Sequence, residues 1–243
     1  MTVDYSIIIP AYNEAAVLER TLREIKTAMA AVPFKGEIVV CDNNSTDRTS
    51  NIGYSAGAKV VFENRNQISR ARNTGAKHAE GRYLIFVDAD TIVPPALLQK
   101  ALDNLAGGKT CGGGAHVKFD IDVTPGVTRV LNFWNWISSS FGLAAGCFIY
   151  CTRQDFKACG GFSNNVYASE EIWFSLALKY KARKTGRKFR IINLPKVITS
   201  ARKLEWYSYR YQIGLLIMLT LFPFLVRSKK FCEYWYKRPG DKS

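Results

Sequence analysis

Histidine is nearly missing from this chain: His78 and His116 are the only two among 243 residues. The six cysteines, Cys41, Cys111, Cys147, Cys151, Cys159 and Cys232, include no CxxC pair. A structural zinc site is therefore not expected. The longest apolar run, 213–226, has fourteen residues, short of the ~20 that span a bilayer. The run Ile7-Ile8-Ile9 is too short for the apolar region of a signal peptide, so reduced cytosolic thiols are expected. Acidic residues are also scarce, 20 Asp and Glu against 34 Lys and Arg, giving a net charge of +14. Such a surface attracts nucleic acid, anionic lipid or phosphorylated substrates. No recognised nucleic-acid-binding motif accompanies the charge, and nucleic acid is not an expected partner. Gly107-Gly108-Lys109-Thr110 looks like the end of a phosphate-binding loop, but position 103 is Asp and the Walker pattern fails.

What is present is an alternation. The spacing predicts strands at 5–9, 37–41, 59–62 and 82–87, and helices at 14–31, 47–56 and 69–79. Val17, Leu18, Thr21, Leu22 and Ile25 share a face of the first helix, Ser45 and Asp47 offer N-caps for the second, and Gly81 stops the third. Pro94 and Pro95 open a fourth helix, to about Leu105. The run 82–87 is almost all apolar and reads as a strand buried on both faces. This βαβα order predicts a parallel sheet covered by helices, with ligands beyond the carboxyl ends of its strands. The turns at 10–14, 41–47 and 88–92 are then the ones to carry a site. After Gly107, a glycine cluster (Gly112, Gly113, Gly114) precedes a strand at 115–119, then a helix at 127–141, a strand at 148–151 and a helix at 169–180.

Asp88-Ala89-Asp90 follows the buried strand directly. Two carboxylates at i and i+2 on a turn converge and repel unless a cation lies between them. A hard divalent ion that also takes diphosphate oxygens fits that need. Pro10-Ala11-Tyr12-Asn13-Glu14 ends the first strand and offers partners to a nucleoside, or is an ordinary turn with Glu14 at a helix start. Asp42, opening Asp42-Asn43-Asn44-Ser45-Thr46-Asp47, could accept a hydrogen bond from a base N–H, while Ser45 or Asp47 caps a helix.

PAYNE (10–14), DNNSTD (42–47), ARNTG (71–75) and DAD (88–90), followed by Gly160-Gly161-Phe162 and Glu170-Glu171, resemble the family 2 glycosyltransferases in order and spacing over about residues 1–200. The resemblance implies an α/β, GT-A (Rossmann-like) fold, with a mostly parallel central sheet flanked by helices. It implies a nucleotide-diphosphate sugar donor, a UDP-sugar before a GDP-sugar, and Mg²⁺ or Mn²⁺. Pro10, Tyr12 and Glu14 would line the nucleoside pocket and Asp42 would contact the base. Arg72 and Asn73 would hold that pocket or the diphosphate. Asp88 would face the sugar or ribose beside the metal, and Asp90 would bind the metal. Glu171 would deprotonate the acceptor, supported by Glu170. One base opposite the leaving group implies single displacement with inversion, unlike hydrolysis by two flanking carboxyls.

The acidic pair is Glu-Glu where relatives more often show Glu-Asp, and the downstream metal-ligating His of many relatives is absent. Arg202 stands in that stretch and offers a cation to the diphosphate. A non-catalytic sugar-nucleotide-binding subunit is the alternative. Phe133, Trp134 and Trp136 read equally as core packing and as an acceptor platform or lipid guide. Residues 1–204 are expected to form the catalytic domain, with halves 1–107 and 108–204. Residues 205–243 form a basic tail, flanked by aromatics and Lys or Arg, that is expected to associate with a membrane as an interfacial, buried or tilted segment. The expected setting is the cytoplasmic face of the membrane, peripheral or monotopic, with a lipid-linked or other glycan acceptor. Oligomeric state is left open.

Overall fold

The computed structural model describes residues 3–206, 211, 214, 215, 218 and 222–236. The chain runs β1 (Tyr5–Ala11), α1 (Leu18–Ala30), β2 (Gly36–Asp42), α2 (Thr49–Ser55), β3 (Lys59–Phe62), α3 (Ile68–His78), β4 (Tyr83–Val87), β5 (Thr91–Ile92) and α4 (Pro95–Ala106). It continues through β6 (Thr110–Phe119), α5 (Pro125–Phe141), β7 (Phe148–Thr152), α6 (Arg153–Cys159), α7 (Glu170–Arg183), β8 (Lys188–Thr199) and α8 (Arg202–Trp206). Two 3₁₀ turns, Pro223–Arg227 and Lys229–Cys232, lead into a short helix, α9 (Glu233–Tyr236).

One eight-stranded sheet collects the strands of the described residues in the order β3-β2-β1-β4-β7-β6-β8-β5. The β1–β2, β1–β4, β2–β3 and β6–β8 pairs are parallel, and the β4–β7, β6–β7 and β5–β8 pairs are antiparallel. The first half is thus wound as the alternation predicts, and antiparallel β7 joins it to the second.

Alternation along the strands divides the core. Ile7, Ile9, Val40, Ile85 and Val87 face α1 and α4, where Leu18, Leu22, Ile25, Leu98 and Leu102 complete the cluster. Ile8, Val39, Leu84 and Phe86 face the other way, against Phe162 and against Phe174 and Leu178 of α7. Each such side chain, fully buried, contributes roughly 1.5–3 kcal/mol. β4 is buried along its whole length, as its composition requires.

The first helix starts at Leu18, four residues later than its spacing predicts, because residues 14–17 turn back on the second loop. The glycine cluster lies inside β6 rather than before it. A Cβ on Gly113 would stand 1.8 Å from the Arg190 carbonyl oxygen, so only glycine lets β8 and Tyr150 approach that closely. β5, α6 and β8 carry no clear sequence signal; β8 in particular is interrupted by Pro195 and has an exposed Leu194.

Six of the fourteen residues of the apolar run 213–226 lie outside the described residues. Among the described residues no helix is long and apolar enough to cross a membrane. Val226, Cys232 and Tyr236 pack on Val166 and Ala168, and the Tyr236 hydroxyl donates to the Tyr167 carbonyl at 3.0 Å.

Candidate functional site

The loops that leave β1, β2 and β4 meet at one end of the sheet. Asn13 and Asn44 both lie in the left-handed region (φ 50° and 66°), which asparagine tolerates better than most residues. The first two loops are stitched together by polar contacts. Asn13 N–H donates to Ser45 Oγ at 3.0 Å, and Thr46 N–H donates back to the Asn13 side-chain oxygen at 2.9 Å. Glu14 N–H donates to Thr49 Oγ1 at 2.9 Å, and Ala15 N–H to Asp47 at 3.1 Å. Neither expected cap holds that place: the N-cap of α2 is Arg48 without a side-chain cap, Asp47 just before it accepts from Thr49 N–H at 2.9 Å, and Ser45 serves the neighbouring loop.

Asp42 is buried and already engaged: it accepts from Ser45 N–H at 3.0 Å and from the Ser50 hydroxyl. It does not line the cleft; Asn43 beside it does. The Asn43 side chain is fixed by the Arg65 carbonyl at 2.6 Å and by Gln67 N–H at 2.9 Å. Nothing in the sequence marks Asn43 over Asp42: both are buried, and which of them borders the cleft depends on how the folded loop is held by Arg65 and Gln67.

Arg72 is the hub of the site and is 2% exposed. Nη1 reaches Glu170 at 2.5 Å, while Nη2 reaches Asp88 at 3.0 Å and the Gly146 carbonyl at 2.9 Å. Its carbon lies 5.2 Å from the centre of the Phe162 ring. Burial works against its charge, but the carboxylates of Asp88, Glu170 and Glu171 outweigh burial and hold the guanidinium protonated. Asn73, on the same helix, is spent on the Phe162 backbone at 2.8 and 2.9 Å, fastening the Gly160-Gly161-Phe162 turn. Arg72 and Asn73 therefore position other parts of the site and do not line the cleft.

A second arginine bridges the other two acids. Arg202 Nη2 lies 2.6 Å from Glu14 and 2.9 Å from Asp90. Asp88 and Asp90 thus each hold a different guanidinium.

α7 opens with the acidic pair, preceded by Ser169 in the left-handed region at φ 60°. Glu170 is buried against Arg72. Glu171 as a residue is half-buried, but its carboxyl lies deep: a methyl on Gly146 would meet it at 3.8 Å and Arg72 Nη2 at 3.2 Å. Burial, and next the charge of Glu170, push the Glu171 carboxyl up to about 8. A carboxylate raised into this range is matched to taking a proton near neutral pH.

The cleft in front of these residues is lined by Pro10, Tyr12, Glu14, Asn43, Asp88, Asp90 and Arg202, with Ile68, Trp235 and Tyr236 closing its outer wall. The space between them is ≈ 60 Å³, room for a few waters, and it opens to solvent. Trp235 and Tyr236 have no motif to mark them, being brought in from the far end of the chain.

Among the described residues no three His, Cys, Asp or Glu side chains gather as a ready-made metal cage. Asp88 and Asp90 nevertheless present hard oxygen donors to the cleft, which suits a small divalent cation that brings its own phosphate ligands.

Residues 6–157 match the family described as Glycosyl transferase family 2. The chain is similar to the validoxylamine A glucosyltransferase of Streptomyces hygroscopicus subsp. jinggangensis, 35% identical over 108 residues, 42% of this chain and 25% of that protein. It is also similar to the dolichol-phosphate mannosyltransferase of Pyrococcus furiosus, 32% identical over 119 residues, 46% of this chain and 33% of that protein. The matched stretch is thus a quarter to a third of these relatives. Among solved structures, the glucosyl-3-phosphoglycerate synthase from Mycobacterium tuberculosis in complex with Mn²⁺, UDP and glucosyl-3-phosphoglycerate superposes with a TM-score of 0.64 at 18% identity, covering 93% of this chain and 80% of that one. That likeness establishes the GT-A fold alone. With PAYNE, DNNSTD, ARNTG and DAD all inside the matched residues, this chain belongs to glycosyl transferase family 2.

Proposed function

We propose that this protein transfers a sugar from a nucleotide-diphosphate donor to a membrane-proximal, lipid-linked acceptor, by single displacement with inversion. The observation that carries the reading is the Arg72 bridge. By holding Asp88 and Glu170 together, it brings the donor-side turn and the first turn of α7 to one point. The Glu171 carboxyl sits behind the same bridge, where it feels the charge of Asp88, although neither Glu170 nor Glu171 lines the cleft itself.

In this reading the nucleoside lies along Pro10, Tyr12 and Asn43, and Asp90 with Asp88 would hold Mg²⁺ or Mn²⁺. When bound, that ion neutralises charge on the departing diphosphate. Arg202 serves the same diphosphate as a second cation once it lets go of Asp90. Glu171 takes the proton from the acceptor oxygen as that oxygen attacks the anomeric carbon from the face opposite the diphosphate. Support for the acceptor class comes from the dolichol-phosphate mannosyltransferase likeness, and for the ion from the Mn²⁺–UDP complex of the structural relative.

The test is turnover by the purified chain with UDP- and GDP-sugars, Mn²⁺ and a polyprenyl phosphate in detergent. The anomeric configuration of the product is read by NMR. An inverted product supports the mechanism, and a retained configuration rejects it. Donor binding without transfer or donor hydrolysis would instead favour the non-catalytic subunit.

A further inference from the structure

Helix α5 wears its aromatics on the outside. Of its 17 residues only Asn135 and Ser138 are buried, and both are polar. The Asn135 side chain pairs with both backbone groups of Val117, at 2.9 and 3.0 Å, and the Ser138 hydroxyl donates to the Leu143 carbonyl at 2.6 Å. Leu131 and Trp134 pack partly on the main core. The opposite face exposes Phe133 (60%), Trp136 (58%) and Phe141 (60%). These three form one row: Phe133 stacks on Trp136 at 5.8 Å, and Trp136 meets Phe141 edge-on at 6.4 Å. A helix fastened by its polar residues leaves an apolar face in search of a partner.

The row continues onto α7. Lys179 Nζ donates to the Phe141 carbonyl at 2.5 Å, so the two helices touch there. Leu176, one turn before Lys179, is exposed, as are Trp173 and Tyr180. Charge distinguishes the possible occupants. Residues 125–145 and 172–185 contain five Lys and Arg and no Asp or Glu. Arg129, Lys181, Arg183 and Lys184 are all exposed. Aromatic side chains bordered by cations and free of acids match the boundary of an anionic bilayer, where rings enter the headgroup layer and each cation meets lipid phosphate.

We propose that the outward face of α5, continued by α7, docks this protein on an anionic lipid leaflet. The inference rests on the membrane-proximal reading above and adds the surface that makes contact. It sets the site's orientation as well. α7 starts at Glu170 and Glu171, and the chain leaving α5 passes Gly146, which lies against the Glu171 carboxyl. The helix that presents Trp173, Leu176 and Tyr180 thus begins at the expected base.

The experiment is co-sedimentation of the full chain with vesicles of phosphatidylcholine alone or with about one third phosphatidylglycerol. Wild type is expected to sediment with the anionic vesicles and much less with the neutral ones. Phe133→Ser/Trp136→Ser and, separately, Lys181→Glu/Arg183→Glu are each expected to weaken binding by about tenfold or more. Their melting temperatures and their binding of UDP- or GDP-sugar should stay at wild-type level, since all four side chains are exposed and outside the donor cleft. Equal sedimentation of wild type and variants, or no sedimentation with anionic vesicles, overturns the proposal. So does a concentration-dependent dimer in solution that Phe133→Ser/Trp136→Ser abolishes, which assigns the face to a second copy. Vesicle binding needs no sugar donor. A chain that binds lipid but no nucleotide sugar would therefore sink the transferase reading and leave this one standing.

Discussion

Arg202 grips the Asp90 carboxylate with Nη2 at 2.9 Å and Nε at 3.1 Å, across 112 positions of sequence. It also holds Glu14, so one cation ties the end of β8 to the loops after β1 and β4. Burial disfavours its charge, but Asp90 and Glu14 more than compensate and keep it protonated. A divalent ion on Asp90 has to compete with this guanidinium.

Removing the competitor separates the two roles. Arg202→Ala is expected to bind Mn²⁺ without nucleotide more tightly than wild type, by about tenfold, and the nucleotide-sugar donor more weakly. Isothermal titration with Mn²⁺ alone and then with the donor reads both. Weaker Mn²⁺ binding in the variant would show that Arg202 does not oppose the ion.

Asp90→Asn should remove the extra thermal stabilisation that Mn²⁺ gives in the presence of donor, measured from a ligand-free melting temperature that itself falls because Arg202 loses a charged partner. Binding raises the apparent stability by mass action, so the size of the shift reports the affinity. A full Mn²⁺-dependent shift in the variant would place the ion elsewhere.

Arg72→Met leaves the buried Glu170, and the partly exposed Asp88, without their shared cation. Breaking a buried pair in this way costs about 3–5 kcal/mol, read as a lower urea midpoint. Arg72→Lys keeps the charge but cannot bridge Asp88, Glu170 and the Gly146 carbonyl at once, so it should recover only part of the loss. Full recovery by lysine would mean that charge alone suffices.

Glu171 governs pH dependence in two opposite senses. Its folded-state value is raised from an ordinary 4.5 to about 8, so the folded protein favours the protonated form. The stability it contributes is whole below pH 4.5 and is lost as pH rises through about 8. Activity runs the other way, because a base must be deprotonated, and kcat/KM should climb toward pH 8. Glu171→Gln should lower kcat by at least about 10²-fold and lose stability less steeply between pH 4.5 and about 8. Urea midpoints across pH, alongside rates, test both; a variant with wild-type turnover removes Glu171 from the chemistry.

Gly113→Ala forces a methyl to 1.8 Å from the Arg190 carbonyl and should cost about 1–3 kcal/mol in denaturant. Gly186→Asn is the control. Gly186 has φ 66° with open space around it, and asparagine is tolerated in that region, so the change should be small.

How much of this was legible in advance varies along the chain. Strand alternation and the all-apolar run before DAD stated the first half of the sheet plainly, because a strand buried on both faces has few compositions open to it. Four short motifs, spaced as a family spaces them, named that family. Tertiary structure decided the rest. It spent Asp42 on Ser45 and Ser50 and set Asn43 at the cleft, held there by Arg65 and Gln67 from a distant loop. It turned Arg72 inward as a bridge, brought Trp235 and Tyr236 to the cleft wall, and faced Phe133 and Trp136 to solvent while Asn135 went inside. Local sequence sets which way a strand or helix repeats; which side chains meet across a hundred positions is fixed only when the whole sheet closes and each buried polar group has found its partner.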